Sequence, residues 1–163
     1  LSPGQLNVQI PYELAPFSRY QVVAIVNNAV SSPQAIDLVG QVPGITAFSD
    51  GRLIAQHADY SLVSASSPAK PGEILVMYLA GMGFTNIPVR SGALSPATTV
   101  SVPAAVTVDG IDAEVFYAGL TPGGIGLYQI NFRVPANVKP GNLKVQVTQG
   151  TATSNAAILP VIP

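Results

Sequence analysis

Glycine and proline recur along the whole chain, fifteen of each among 163 residues. Proline breaks a helix interior and glycine weakens one, so this distribution leaves little room for a long helix. The stretches between them are rich in Val, Ile, Thr and Tyr, which favour strands. The sequence therefore predicts an all-β fold of short strands joined by tight turns.

An internal repeat limits the fold further. QLNVQIP at residues 5–11 matches QINFRVP at residues 129–135, at an offset of 124 residues. YQVVAIV at residues 20–26 matches LKVQV at residues 143–147, and residues 32–36 match residues 154–158 after a two-residue gap. The repeat predicts two units that end in the same way.

Alternating apolar residues and turn signals predict strands in two blocks. The first block has three, at residues 6–10, 20–26 and 35–39, with Asn27 and Asn28 as a tight turn. The second has six, with Asp109-Gly110 as a tight turn, at residues 73–79, 104–108, 113–117, 127–134, 143–148 and 156–161.

Six strands in about a hundred residues are the number expected of an immunoglobulin-like β-sandwich, whereas three strands cannot close two layers. We therefore expect a partial immunoglobulin-like unit at residues 1–44, a connector with a small hairpin at residues 45–66, and a complete sandwich at residues 67–163. The partial unit would be completed by a neighbour.

Composition limits the partners. Only 9% of the residues are charged and 48% are hydrophobic, which favours burial by neighbouring molecules or a coat of sugar. A net charge of −1 without a basic cluster argues against nucleic acid. The longest apolar run, residues 74–80, is too short to span a membrane.

Three stretches resemble a known family: SPGQLNVQIPYEL at residues 2–14, SSPAKPGEILVMYLAGMGF at residues 66–84, and VTVDGIDAEVFYAGLTPGGIGLYQINFRVP at residues 106–135. Together they look like the Solibacter-type C-terminal domain, a family found at the C-termini of large secreted acidobacterial proteins. The resemblance implies exported β-sandwich modules in which one immunoglobulin-like unit precedes another. It brings no catalytic residue, and this chain lacks the leading strands of the first unit.

Candidate catalytic and metal sites have simpler interpretations. His57 and Asp59 lie close to several serines, but nothing resembles a nucleophile elbow, so a solvated loop is favoured. Asp109 and Asp112 could offer oxygens to calcium, yet few other acids are near and a turn is favoured. The glycines of residues 122–126 lack the Lys and Ser/Thr of a phosphate loop.

The remaining candidates are scattered. Glu13, Glu73 and Glu114 form no carboxylate pair in the sequence. The six tyrosines could include platforms on which sugars stack, but core or edge positions are the simpler interpretation. They are Tyr12, Tyr20, Tyr60, Tyr78, Tyr117 and Tyr128. We therefore predict no enzyme activity, no catalytic residue, no cofactor and no metal.

Residues 91–101 are rich in Ser, Thr and Pro. This composition is typical of an exposed loop and also of a segment that carries O-linked sugar. The candidate glycosylated residues are Ser95, Thr98, Thr99 and Ser101.

The first immunoglobulin-like unit is expected to lack half of its strands, and the function that this suggests is assembly with other copies of the chain. An uncovered apolar face and sheet edge invite pairing with other copies of the chain, through Leu6, Val8, Ile10, Tyr20, Val22 and Ala24. We expect a subunit of an extracellular filament or pilus-like fibre on the cell surface. The alternative is a non-catalytic binding or spacer module of a larger secreted protein, with affinity for carbohydrate.

Overall fold

The computed structural model describes residues 4–96 and 103–163. These residues contain strands and no helix, which confirms the all-β expectation, and they hold no helix long and apolar enough to cross a membrane. The strands are β1 (Ser18–Val22), β2 (Ile25–Val26), β3 (Ala29–Val30), β4 (Gln34–Leu38), β5 (Gly44–Ile45), β6 (Ala55–Gln56), β7 (Ile74–Ala80), β8 (Ala105–Val108), β9 (Ile111–Ala113), β10 (Val115–Leu120), β11 (Tyr128–Arg133), β12 (Gly141–Gln149), β13 (Ala152–Thr153) and β14 (Ala157–Val161).

One antiparallel sheet is built around β7. It runs in the order β10, β11, β7, and both β5 and β6 pair with the far edge of β7. In β11, Tyr128, Ile130 and Phe132 are buried and polar residues alternate with them. Because side chains alternate between the two faces of a strand, this pattern buries one apolar face of the sheet in the core.

The second antiparallel sheet is built around β12. The strands β13 and β14 pair with one edge of β12, β8 pairs with the other, and β9 follows β8 through the Asp109-Gly110 turn. Buried residues of both sheets form a single hydrophobic cluster. The two sheets are thus the layers of a sandwich-like fold, called the sandwich below and comprising residues 43–163.

The expected strands of the second block are confirmed at β7, β8, β11, β12 and β14, with ends shifted by one or two residues. The strand expected at residues 113–117 is instead β10, and the short β9 precedes it.

Residues 45–66 do more than connect two units. The strands β5 and β6 pair with β7, and Ile45, Leu53 and Val63 are buried in the core. The Leu53 N–H also donates to the carbonyl of Ile158 at the edge of β14, 2.8 Å away. The expected small hairpin therefore contributes to both layers of the sandwich.

Residues 4–42 form no core of their own, because none of them is buried. The strand expected at residues 6–10 is not formed, so that prediction was wrong. The other two expected strands are present, one as β1 and β2 and the other as β4. The first block thus lies outside the sandwich.

Candidate assembly surface

Residues 18–38 form a hairpin, called the open hairpin below. Its strand β1 pairs with β4, and β2 pairs with β3 next to the turn. Asn27 and Asn28 take positive φ angles of 50° and 64°, the conformation of a two-residue type I′ turn. The turn predicted from the two asparagines is confirmed.

One serine closes the middle of the open hairpin. The Ala24 N–H donates to the Ser31 hydroxyl, and the Ser31 N–H donates to the Ala24 carbonyl, both at 2.9 Å. Val147 in β12 and Ser154, directly after β13, make the same two hydrogen bonds at the same length. Two distant segments therefore share a local structure down to one side chain.

The registers of the two segments agree as well. Tyr20 pairs with Ile36 in the open hairpin, and Leu143 pairs with Leu159 in the sandwich. A constant offset of 123 residues relates the two segments, from Tyr20 and Leu143 to the ends of β4 and β14. The two-residue gap expected before the last matched strand is therefore absent, and that prediction was wrong. The open hairpin is a structural copy of β12, β13 and β14.

The two copies differ in what covers them. One side of the open hairpin carries apolar residues, called the apolar face below: Tyr20, Val22, Ala24, Val26, Ile36 and Leu38. Their equivalents in the sandwich are all buried, namely Leu143, Val145, Val147, Gln149, Leu159 and Val161. Val22 is 40% exposed, whereas Val145 is 0% exposed.

The opposite side of the open hairpin carries its charges. The Arg19 guanidinium binds the Asp37 carboxylate through two hydrogen bonds, of 2.7 and 2.8 Å. This pairing holds the pKa of Asp37 below its usual value. Because both ends of the pair are well exposed, it adds little stability, but it leaves the apolar face free of charge.

Two glycines let the base of the hairpin approach the sandwich. Gly81 and Gly83 have φ angles of 75° and 78°, and a Cβ on either would collide with the carbonyl of Val42 or Gly40. The Val42 N–H donates to the Gly81 carbonyl at 2.8 Å. The hairpin is therefore anchored at its base and extends away from the end of β7.

Residues 5–14, called the N-terminal segment below, carry the first copy of the repeated motif. In the second copy Ile130, Phe132 and Val134 are buried, whereas the equivalent Leu6, Val8 and Ile10 are exposed. Val8, for example, is 72% exposed. The segment has the sequence of a central strand but lies outside any sheet.

Side chains hold the N-terminal segment against loops of the sandwich. The Glu13 carboxylate accepts hydrogen bonds from the hydroxyl and N–H of Ser91, at 2.6 and 3.1 Å, which lower the pKa of Glu13. The Tyr12 hydroxyl lies 2.9 Å from that of Tyr128, which itself donates to the Gly83 carbonyl. Burial and this contact raise the pKa of Tyr128.

A groove of about 650 Å3 separates the N-terminal segment from the end of the open hairpin. Its lining is mainly apolar and includes Val8, Ile10, Leu38, Val42 and Phe84. The groove thus extends the exposed apolar surface from the hairpin to the sandwich.

The six residues predicted to mediate assembly fall into two groups. Tyr20, Val22 and Ala24 lie on the apolar face, and the other three lie along the N-terminal segment. Three further residues complete that face but were not among those predicted, namely Val26, Ile36 and Leu38. Alternation along residues 20–26 could have identified Val26, but the other two required the register of β1 and β4.

His57 is partly buried rather than solvated, and the acid that it contacts is Glu73 instead of the nearby Asp59. Its Nδ1 lies 2.6 Å from Oε1 of Glu73, and its Nε2 lies 3.1 Å from the carbonyl of Ser67, while Asp59 accepts a hydrogen bond from Ser61. Partial burial opposes protonation of the ring, but these hydrogen bonds outweigh it and raise the pKa of His57. A protonated ring can donate to both partners, so the cluster ties the end of β6 to the start of β7.

The Ser67 hydroxyl also lies 3.3 Å from Nε2 of His57. The same nitrogen is closer to the Ser67 carbonyl, which can only accept. A ring nitrogen that donates a proton there cannot also take one from the hydroxyl, as a general base must. The geometry suits a structural tie better than a nucleophile.

The other candidates separate in space or form turns. Asp109 and Gly110 have φ angles of 52° and 79° in the tight turn between β8 and β9. No group of three or more metal-ligating residues occurs within the described ranges. Gly123 and Gly126 take positive φ angles in a loop that leads into β11, as expected for a turn.

The carboxylates and tyrosines serve separate contacts. Glu114 pairs with Arg133 at 3.1 Å, and the Arg133 guanidinium also donates to the carbonyl of Gly72, next to Glu73. The Glu73 carboxylate itself contacts His57. Tyr128 is buried, Tyr60 is exposed on a turn, and the rest lie between these extremes, including Tyr78 and Tyr117.

Of the candidate glycosylation sites, Ser95 is buried and its hydroxyl donates to the Gly124 carbonyl at 3.0 Å. It is therefore a poor acceptor for sugar. Thr98, Thr99 and Ser101 lie outside the described residues.

No protein-family model, curated protein or solved structure matches this chain.

Proposed function

We propose that this protein is a structural subunit that assembles with copies of itself through the open hairpin and the N-terminal segment. One observation carries the proposal: the apolar face is open, whereas the same face of its structural copy is buried. A chain that repeats a sandwich half, and leaves one copy uncovered, presents a surface suited to another molecule.

The size of this surface limits the free energy that its burial can contribute to assembly. The apolar face and the exposed side chains of the N-terminal segment offer a few hundred Å2, which at about 25 cal/mol per Å2 corresponds to a gross gain of roughly 5 to 10 kcal/mol. Part of that gain is lost to the reduced freedom of the joined molecules. The apolar gain is thus comparable with the cost of association, and further contacts between copies would add to it.

We further propose that the sandwich is immunoglobulin-like and that the assembly is an extracellular filament or pilus-like fibre on the cell surface. The resemblance to the Solibacter-type family and the low charge of the chain support this setting. The proposed role requires no enzyme activity and no cofactor. Surface glycans are a further candidate partner.

Light scattering and electron microscopy of the purified full chain test the proposal. We expect uniform filaments from the unchanged protein and no filaments from Val22→Asp, which places a charge on the apolar face. Ala35→Asp is the matched control, because Ala35 is exposed on the opposite side of the same hairpin. Filaments from Val22→Asp, or a monomeric unchanged protein, would contradict the proposal.

A second function is favoured by a different observation. The sandwich copy of the apolar face is covered by its own chain, since its residues belong to the single buried cluster of the sandwich. The open hairpin could be covered in the same way within a larger secreted protein, of which this chain would be a binding or spacer module. A monomer that stays soluble in the experiment above favours this alternative.

A further inference from the structure

The open hairpin lacks a strand at one particular place. Residues 23–24 interrupt the strand between β1 and β2, whereas their equivalents, Gln146 and Val147, belong to the continuous strand β12. Those two residues pair with Thr107 and Val106 of β8. The interruption therefore marks the position at which the sandwich copy has a neighbouring strand and the open hairpin has none.

The backbone at this position is directed outward. Ala24 uses its N–H and carbonyl for Ser31 inside the hairpin, so by alternation Val23 and Ile25 direct theirs to the other edge. Gln21 does the same, since its equivalent Lys144 accepts a hydrogen bond from Asp109 on the β8 side, at 2.7 Å. Among the described strands, β1 has β4 as its single neighbour.

The edge carries none of the usual protection. Edge strands of soluble proteins tend to carry lysines, prolines or bulges that prevent pairing. Residues 20–26 read YQVVAIV, and Val22, Val23 and Ile25 are all exposed. An unprotected apolar edge is suited to strand addition.

We propose that residues 21–25 of one copy pair antiparallel with residues 21–25 of a second copy, about a two-fold axis at Val23. The direction follows from the sandwich, where β8 runs antiparallel to β12 at the equivalent edge. The inference rests on the proposed function, since it assigns one contact of that assembly.

The sequence around Val23 is self-complementary. A two-fold axis there places Val22 opposite Ala24 and Gln21 opposite Ile25, so that neither pair brings like charges together. Arg19 would face Asn27, and both apolar faces would lie on the same side of a joined four-stranded sheet. The absence of like-charge pairs matters, because like charges directly opposite one another destabilise an antiparallel sheet.

This contact alone would stop at a dimer, because a two-fold interface is closed. The apolar face remains open on the joined sheet and can meet a second pair of molecules. Two different contacts between copies can then propagate into a filament.

Cysteine cross-linking tests the pairing, because the chain has no cysteine of its own. Directly opposed residues that exchange hydrogen bonds have Cα atoms about 5.5 Å apart, within the range of a disulfide. We expect Val23→Cys to give a disulfide-linked dimer on mild oxidation. A mixture of Gln21→Cys and Ile25→Cys should form the mixed dimer in preference to either homodimer.

Ala35→Cys is the matched control, since Ala35 is exposed on β4, on the side opposite the apolar face and one strand away from the proposed axis. Cross-linking of V23C should be roughly tenfold faster or more, as expected for a pre-associated pair. Hydrogen exchange of the unchanged protein gives a second measurement: the amides of Val23 and Ile25 should become protected only on assembly.

The outcomes separate the two proposals. Assembly without preferential V23C dimers, or without amide protection at Val23, overturns the pairing and leaves the proposed function in place. Preferential dimers without larger assemblies support the pairing and overturn the filament. A monomer in which V23C cross-links no faster than A35C overturns both.

Discussion

Val22 and Val145 allow the open and closed copies to be compared directly. They are the same residue type at equivalent register positions, 40% and 0% exposed respectively. Val22→Ala and Val145→Ala remove the same two methyl groups from the two copies. Because Val145 is buried within the chain and Val22 is not, the two substitutions act on different equilibria.

The cost of Val145→Ala falls on folding. Loss of buried methyl groups together with the remaining cavity is expected to lower the free energy of unfolding by about 2 to 3 kcal/mol. For a chain of this size the melting temperature should then fall by roughly 5 to 10 °C.

The cost of Val22→Ala falls on assembly. The side chain is already partly exposed in the free chain, so the unfolding free energy of the monomer should change by less than about 0.5 kcal/mol. Covering roughly 60 Å2 of valine surface at about 25 cal/mol per Å2 gives an upper value near 1.5 kcal/mol, of which alanine keeps a part. A net loss of about 1 kcal/mol weakens association about fivefold.

Thermal unfolding at low protein concentration and the concentration at which filaments appear measure the two effects. The V22A variant should melt like the unchanged protein and need about fivefold more protein to assemble. A melting temperature lowered as much as in V145A would show that Val22 is already buried in the isolated chain. Unchanged assembly of V22A would show that no molecule covers the apolar face.

Three further predictions concern other parts of the chain. Val8→Asp should disrupt assembly with little effect on monomer melting, and normal filaments from this variant would show that the N-terminal segment stays uncovered. Residues 43–163 should unfold cooperatively as an isolated fragment. Residues 67–163 should be much less stable, because they lack the core residues before position 67. Equal melting curves of the two fragments, measured by circular dichroism, would contradict the extent of the sandwich. Because its pKa is raised in the folded state, His57 should stabilise the fold below about pH 6.5 and lose that contribution as the pH rises through the folded pKa. The melting temperature should fall over that window, and His57→Gln should flatten the decline.

Much of the fold could be predicted from local pattern. Alternating residues in β11 and β12 identify buried strands because a strand's side chains point to opposite faces. Asn27 and Asn28 identify a turn because asparagine tolerates positive φ. The repeat in the sequence likewise indicated that two segments share one structure, and the register of the open hairpin supports this.

Other features depend on contacts between distant residues, which local patterns do not specify. Residues 5–11 have the sequence of a central strand, yet they form none, because a strand needs neighbours to satisfy its backbone. His57 pairs with Glu73 instead of the nearby Asp59, because the packing of β6 beside β7 brings the two together. Alternation and turn chemistry, both local, thus determined which residues could form strands, whereas long-range pairing decided which copy of the repeat is buried and which is left open.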